Sequence, residues 1–203
     1  QAMKLYALIS IALGSITTSP TNFSNLPNLL SLGIMARNAP SEYELKASLL
    51  FKFIPFIEWP ESASKNSTLK IGIVGKNPFG RSLDSIDGYK LGTYTIRIAY
   101  FNTAANTDQL KQCQILYLAT FESAENRILA AIAGQPILSI ADSEGFTERG
   151  GVIEFVKNRS RIAFEINHSS ALKSGLNIRS QLLRLAEIVY GDNHSKERIN
   201  PNG

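Results

Sequence analysis

Gln114-Ile115-Leu116-Tyr117-Leu118 and Pro136-Ile137-Leu138-Ser139-Ile140 are two short apolar runs on either side of a helical stretch, residues 122–133. Each run is too short for a helix and apolar on consecutive positions, the pattern of a strand buried on both faces. Gly134 is placed to stop the helix between them. Upstream, Leu69-Lys70-Ile71-Gly72-Ile73-Val74 reads as a strand stopped by Gly75, and 78–86 as a short helix. Thr93-Tyr94-Thr95-Ile96-Arg97-Ile98-Ala99-Tyr100 is β-branched and aromatic, hence a strand. Strands alternating with helices predict a mostly parallel sheet with helices on both faces.

The pattern changes downstream. Gly151–Val156 and Arg161–Ile166 each alternate apolar and polar residues, with the polar turn Lys157–Ser160 between them. That is an antiparallel hairpin at an edge of the sheet. Residues 169–174 predict a short helix ending at Gly175. Residues 178–190 predict a longer one with Leu182, Leu185, Ala186 and Val189 on its apolar face. At the other end, Leu45, Leu49, Phe53 and Ile57 recur every four residues and predict a helix over 42–58. Ser41 is its N-cap, Glu42 and Glu44 suit the first turn, and Pro55 predicts a kink or an early end. Trp59-Pro60 closes the segment. The fold class is therefore α/β: a single three-layer domain over 42–190, with a mostly parallel sheet, helices on both faces and an antiparallel edge hairpin. Residues 191–203 read as a polar tail.

Residues 1–39 read as a leader. Lys4 precedes the apolar run Leu5–Leu13, followed by small and polar residues to Thr18, the order of a secretory signal. The run is short of the ~20 apolar residues that span a bilayer. Cleavage is expected near 18–20 or at Ala39; the alternative is an N-terminal helix of the mature protein. No later segment approaches spanning length, so a soluble body is expected.

Charge excludes one class of partner. The chain has 21 Lys and Arg against 17 Asp and Glu. Lys4 and Arg37 fall in 1–39, which leaves 19 against 17. That surplus is too small and scattered for nucleic acid, which needs a dense basic stripe.

Catalytic parts are sparse. Cys113 is the single cysteine, and His168 and His194 are far apart in sequence. Neither a zinc site nor a His-based dyad has its residues, and no catalytic residue, metal site or cofactor is expected. Gly75-Lys76-Asn77-Pro78-Phe79-Gly80-Arg81-Ser82 has the spacing of a phosphate-binding loop. However, Arg81 stands where lysine is needed, and Pro78 has no N–H to offer. The favoured reading is a turn with Pro78-Phe79 packed on the sheet. Asp142, Glu144, Gly145, Phe146 and Glu148 follow a buried strand, where α/β proteins place ligands, so 142–146 is a candidate ligand loop. Glu58-Trp59-Pro60 is a candidate aromatic anchor for a partner protein. The strands 151–156 and 161–166 could pair with another chain, leaving a homodimer open.

Five segments together resemble the YfiR-like family. They are Glu42–Ala47 running into Phe56-Ile57-Glu58-Trp59-Pro60; Ile73-Val74-Gly75 with Asn77-Pro78-Phe79-Gly80; Cys113–Tyr117; Pro136-Ile137-Leu138 through Asp142 to Gly145-Phe146 and Gly150-Gly151; and Phe164–Asn167 with Ser180–Leu183. The likeness implies an exported α/β protein with no catalytic activity. It also implies a periplasmic location in a Gram-negative bacterium and a partner, the periplasmic domain of an inner-membrane diguanylate cyclase. Restraint of that cyclase affects cyclic-di-GMP and biofilm formation. Likeness to one member of the family further implies a disulfide from the strand before the Pro-Phe-Gly turn to the Cys113 position. Gly72 occupies the first place here, so Cys113 lacks that partner and redox control is not expected. The competing reading is a periplasmic small-ligand protein that feeds a receptor or transporter.

Overall fold

Alternation inside each central strand splits the interior into two layers. The computed structural model describes residues 40–64, 67–158, 161–191 and 196–197. The leader expected over 1–39 and most of the polar tail lie outside the described residues.

The strands are β1 Ile57–Glu58, β2 Thr68–Gly75, β3 Lys90–Leu91, β4 Tyr94–Phe101, β5 Ile115–Ala119, β6 Leu138–Ala141, β7 Ile153–Asn158, β8 Arg161–Asn167, β9 Asn177–Ile178, β10 Val189–Tyr190 and β11 Lys196–Glu197. The α-helices are α1 Glu42–Phe53, α2 Glu61–Ser64, α3 Thr107–Leu110, α4 Glu122–Ala131, α5 His168–Lys173 and α6 Ser180–Leu183. Among the described residues nine strands form one sheet in the order β11-β10-β8-β7-β6-β5-β2-β4-β3. The run β4, β2, β5, β6, β7 is parallel. Antiparallel β8 follows β7, then β10 pairs parallel to β8 through two residues. The expected α/β class, parallel core and antiparallel hairpin are present, but two-residue strands β10 and β11 continue the sheet beyond β8, so the hairpin is not its outermost element. β1 and β9 make a separate antiparallel pair.

On one face, Ile71, Ile73, Ile115, Tyr117, Leu138 and Ile140 meet α1, the turns around Phe79 and Leu83, and α6. On the other, Val74, Leu116, Leu118 and Ala141 meet α3 and α4 through Leu110, Ile128 and Ile132. Period-two alternation sends neighbouring residues to opposite layers.

Three elements differ from expectation. α1 ends at Phe53, and Pro55 sits in a short 3-10 turn over Ile54–Phe56 that leads into β1. The capping box is present: Ser41 Oγ accepts from Glu44 N, and Glu44 accepts from Ser41 N. The buried face of α1 is Lys46, Ala47, Leu50 and Phe53, whereas Leu45 is 41% exposed. Residues 78–88 form turns instead of a helix. The helix expected over 178–190 is only the four-residue α6. Val189 belongs to the sheet opposite Ile166, and Leu185 is 68% exposed.

Candidate functional site

The loop after β6 begins with Asp142, and Asp142 is engaged by α1. Its carboxylate accepts from Lys46 Nζ at 2.5 Å and from the Tyr43 hydroxyl at 3.0 Å. Lys46 also pairs with Glu42 at 2.7 Å, one turn earlier on α1. The Lys46 side chain is 4% exposed, and its ammonium lies 4.6 Å from the Tyr43 ring centroid. Two carboxylates and an aromatic face compensate its desolvation. Glu42 reaches Lys157 as well, and the contacts of Lys157 and then Lys46 hold its carboxyl below the usual range. Burial, then the Asp142 charge, push Tyr43 up to about 12. Tyr117 lies deeper. Its buried hydroxyl has no hydrogen-bond partner among the described residues, and burial followed by the Asp142 charge raises its pKa strongly.

The rest of the loop is tied from beneath. Glu154 on β7 accepts from Gly145 N, Thr147 N and Thr147 Oγ, each at 3.1 Å. Phe146 is fully buried, and its ring lies so close to Gly151 that a Cβ there would come within 2.1 Å of it. Arg149 joins Glu125 at 2.9 Å, and Ser143 Oγ donates to the same carboxylate at 2.7 Å. Of the loop's candidate residues only Glu144 is exposed; Asp142 and Gly145 are half-buried and Phe146 is interior. Tyr43 and Lys46, which fall in the family-like segment Glu42–Ala47, and Glu154 organise this loop, but none was singled out as a site residue from the sequence. The signals available in sequence were the Glu42–Lys46 spacing and an acid on an otherwise apolar strand.

The second candidate, Glu58-Trp59-Pro60, lies where β1 leaves the 3-10 turn. Glu58 accepts from Asn177 Nδ2 at 2.8 Å and from Arg179 Nε at 3.0 Å, the first in β9 and the second just after it. These contacts, Asn177 first, hold its carboxyl below the ordinary range. Trp59 is half-buried, and its indole N–H donates to the Gln114 carbonyl at 3.3 Å. An acid with two exposed side-chain partners and a half-exposed indole with one hydrogen bond stand next to each other at this corner.

The phosphate-loop spacing at 75–82 leads into turns with no helix to supply N–H groups. Phe79 is buried and stacks edge-on against Tyr117 with centroids 4.7 Å apart, as the turn reading requires. Arg81 is 95% exposed and pairs with Asp84. Cys113 is buried, and a Cβ on Gly72 would stand 3.0 Å from its sulfur. Burial pushes the Cys113 thiol up to about 11, which disfavours a nucleophilic thiolate. His168 opens α5. Among the described residues no group of three or more His, Cys, Asp and Glu could hold a metal ion, and no helix is long and apolar enough to cross a membrane.

These features define an α/β domain whose strand-end loop is tied to α1, α4 and β7 by hydrogen bonds and ion pairs. The chain belongs to the YfiR/HmsC-like family, whose pattern it matches over residues 43–187, and at the family level the role is regulatory. It is also similar to the crystal structure of a conserved domain protein from Vibrio cholerae O1 biovar El Tor, with 14% identity and a TM-score of 0.49. That match covers 73% of this chain, which spans 60% of the Vibrio chain's length.

Proposed function

We propose that this protein is an exported regulator that acts by binding, restraining a membrane diguanylate cyclase through contact with the cyclase's periplasmic domain. The observation that carries the reading is the family match over residues 43–187. Glu58-Trp59-Pro60 forms part of the contact. A Trp and an acid held in place before binding lose little conformational freedom on docking, and buried Trp is among the commonest binding hot spots. When the regulator is seated, cyclic-di-GMP synthesis is low; release raises it and favours biofilm. The test is genetic. Deletion of the gene is expected to raise cellular cyclic-di-GMP, and complementation to restore it. An unchanged level in the deletion strain would sink the role.

A further inference from the structure

A cleft lies away from the strand-end loop, at the amino ends of β2, β5 and β6. It encloses about 910 Å³ and is lined mainly by polar groups, among them Lys70, Lys111, Gln112, Gln114 and Gln135. That volume lies within the roughly 300–1,000 Å³ of small-molecule sites. Two lysines line it, and among the described residues no Asp or Glu does. Lys70 Nζ reaches only the Gln112 amide oxygen, at 3.3 Å, and neither lysine has an ion pair with a described residue. Two ammonium groups facing one concave surface without a counter-charge make a local positive potential that draws in small anions.

Gln114 makes this cleft part of the structure around Trp59. Its side-chain oxygen accepts from Lys70 N at 2.8 Å, its amide nitrogen reaches the Ala63 carbonyl at 3.5 Å, and its own carbonyl accepts from Trp59 Nε1 at 3.3 Å. An occupant that touches Gln114 is therefore one hydrogen bond from the protein's only tryptophan.

We infer that this cleft is a binding site for a small polar dianion, a dicarboxylate or a phosphomonoester. Lys70 and Lys111 supply the charge, and the Gln112, Gln114 and Gln135 amides supply hydrogen bonds. The inference stands apart from the docking role: a ligand can bind here whether or not a cyclase is the partner.

The experiment is a titration of the full chain at constant ionic strength, read by Trp59 fluorescence and by calorimetry. The probes are succinate and glycerol 3-phosphate, with glycerol and putrescine as neutral and cationic controls. Saturable binding of at least one dianion at millimolar concentration or below is expected, with both controls silent. The tighter dianion identifies the source, carboxylate or phosphate. The Lys70→Gln/Lys111→Gln double variant is expected to bind at least tenfold more weakly. Gln135→Glu, which adds an acid and removes no lysine, is expected to weaken binding too. No saturation with either dianion overturns the inference, and so does equal affinity in both variants and the wild type.

Discussion

Lys46 is the residue whose surroundings matter most for its neighbours. Its ammonium is held between Glu42 and Asp142 and is nearly excluded from water. Lys46→Met would keep much of the stem's apolar volume but leave the half-buried Asp142 without its cation, with the Tyr43 hydroxyl as its remaining hydrogen-bond donor. Breaking a buried pair from one side costs about 3 kcal/mol. Urea unfolding of Lys46→Met should show a loss of that order, and a loss under half of it would mean that Asp142 is satisfied some other way. Position 72 carries a second expectation. A Cβ there would sit 3.0 Å from the Cys113 sulfur, within reach of a disulfide, but 2.7 Å from Leu116 and 2.9 Å from Phe101. Gly72→Ala should therefore be destabilised by about 1–3 kcal/mol through overpacking. Oxidised Gly72→Cys should be more stable than its own reduced form by about 2–4 kcal/mol, because the bridge closes a long loop in the unfolded chain. Failure of the cross-link to form under oxidising conditions would contradict the placement of Cys113 against β2.

At the scale of elements, the loop after β6 is ordered by an acid from a neighbouring strand. Glu154 collects two backbone N–H groups and one hydroxyl from 145–147. Bonds to an ionised acceptor contribute about 1.5–3 kcal/mol each, more than neutral ones. In Glu154→Ala the amides of Gly145 and Thr147 should exchange hydrogen much faster than in wild type, while those of β5 stay protected. Uniform loss of protection would mean that Glu154 holds the whole sheet instead of this loop. The strands that carry the loop were legible in sequence because β-branched and apolar runs of four to eight residues leave little choice. The segment 178–190 was not. Leu182, Leu185, Ala186 and Val189 have helical spacing, but hydrogen bonding to the β8 edge draws Val189 into the sheet and turns Leu185 outward. The spacing of Leu45 and Leu49 likewise hid the true inner face of α1. A sequence pattern assigns lysine to solvent, and only the folded arrangement brings Asp142 to Lys46. The same reason explains the candidate site. Asp142 and Trp59 could be picked out by residue type and position, whereas their partners lie 96 and 55 residues away.

At the scale of the molecule, the buried tyrosines set an alkaline limit. Burial is the leading cause that raises Tyr43, Tyr117 and Tyr190, with a nearby carboxylate acting in the same direction. A raised pKa means that the folded state holds these protons more tightly than the unfolded chain does. The associated stability is present below the ordinary tyrosine pKa of 10.0 and is lost as pH rises through the folded values, which begin at about 12 for Tyr43. Tyrosinate absorbance should therefore rise in two stages, the later one coinciding with loss of near-ultraviolet circular dichroism. A single stage at the ordinary value with the fold intact would contradict the burial of these hydroxyls.

The whole molecule is proposed to act by contact, and the corner at Glu58-Trp59-Pro60 is where the partner is expected to sit. The direct measurement is calorimetric titration of the purified protein with the periplasmic domain of a membrane diguanylate cyclase encoded beside its gene. The wild type should bind saturably. Trp59→Ala should bind at least about tenfold more weakly, as loss of a hot-spot side chain implies, and exposed Glu58→Ala should also weaken binding while leaving the fold's circular dichroism unchanged. Absence of wild-type binding would contradict the regulator role, and equal affinity of the wild type and both variants would place the contact elsewhere on the molecule.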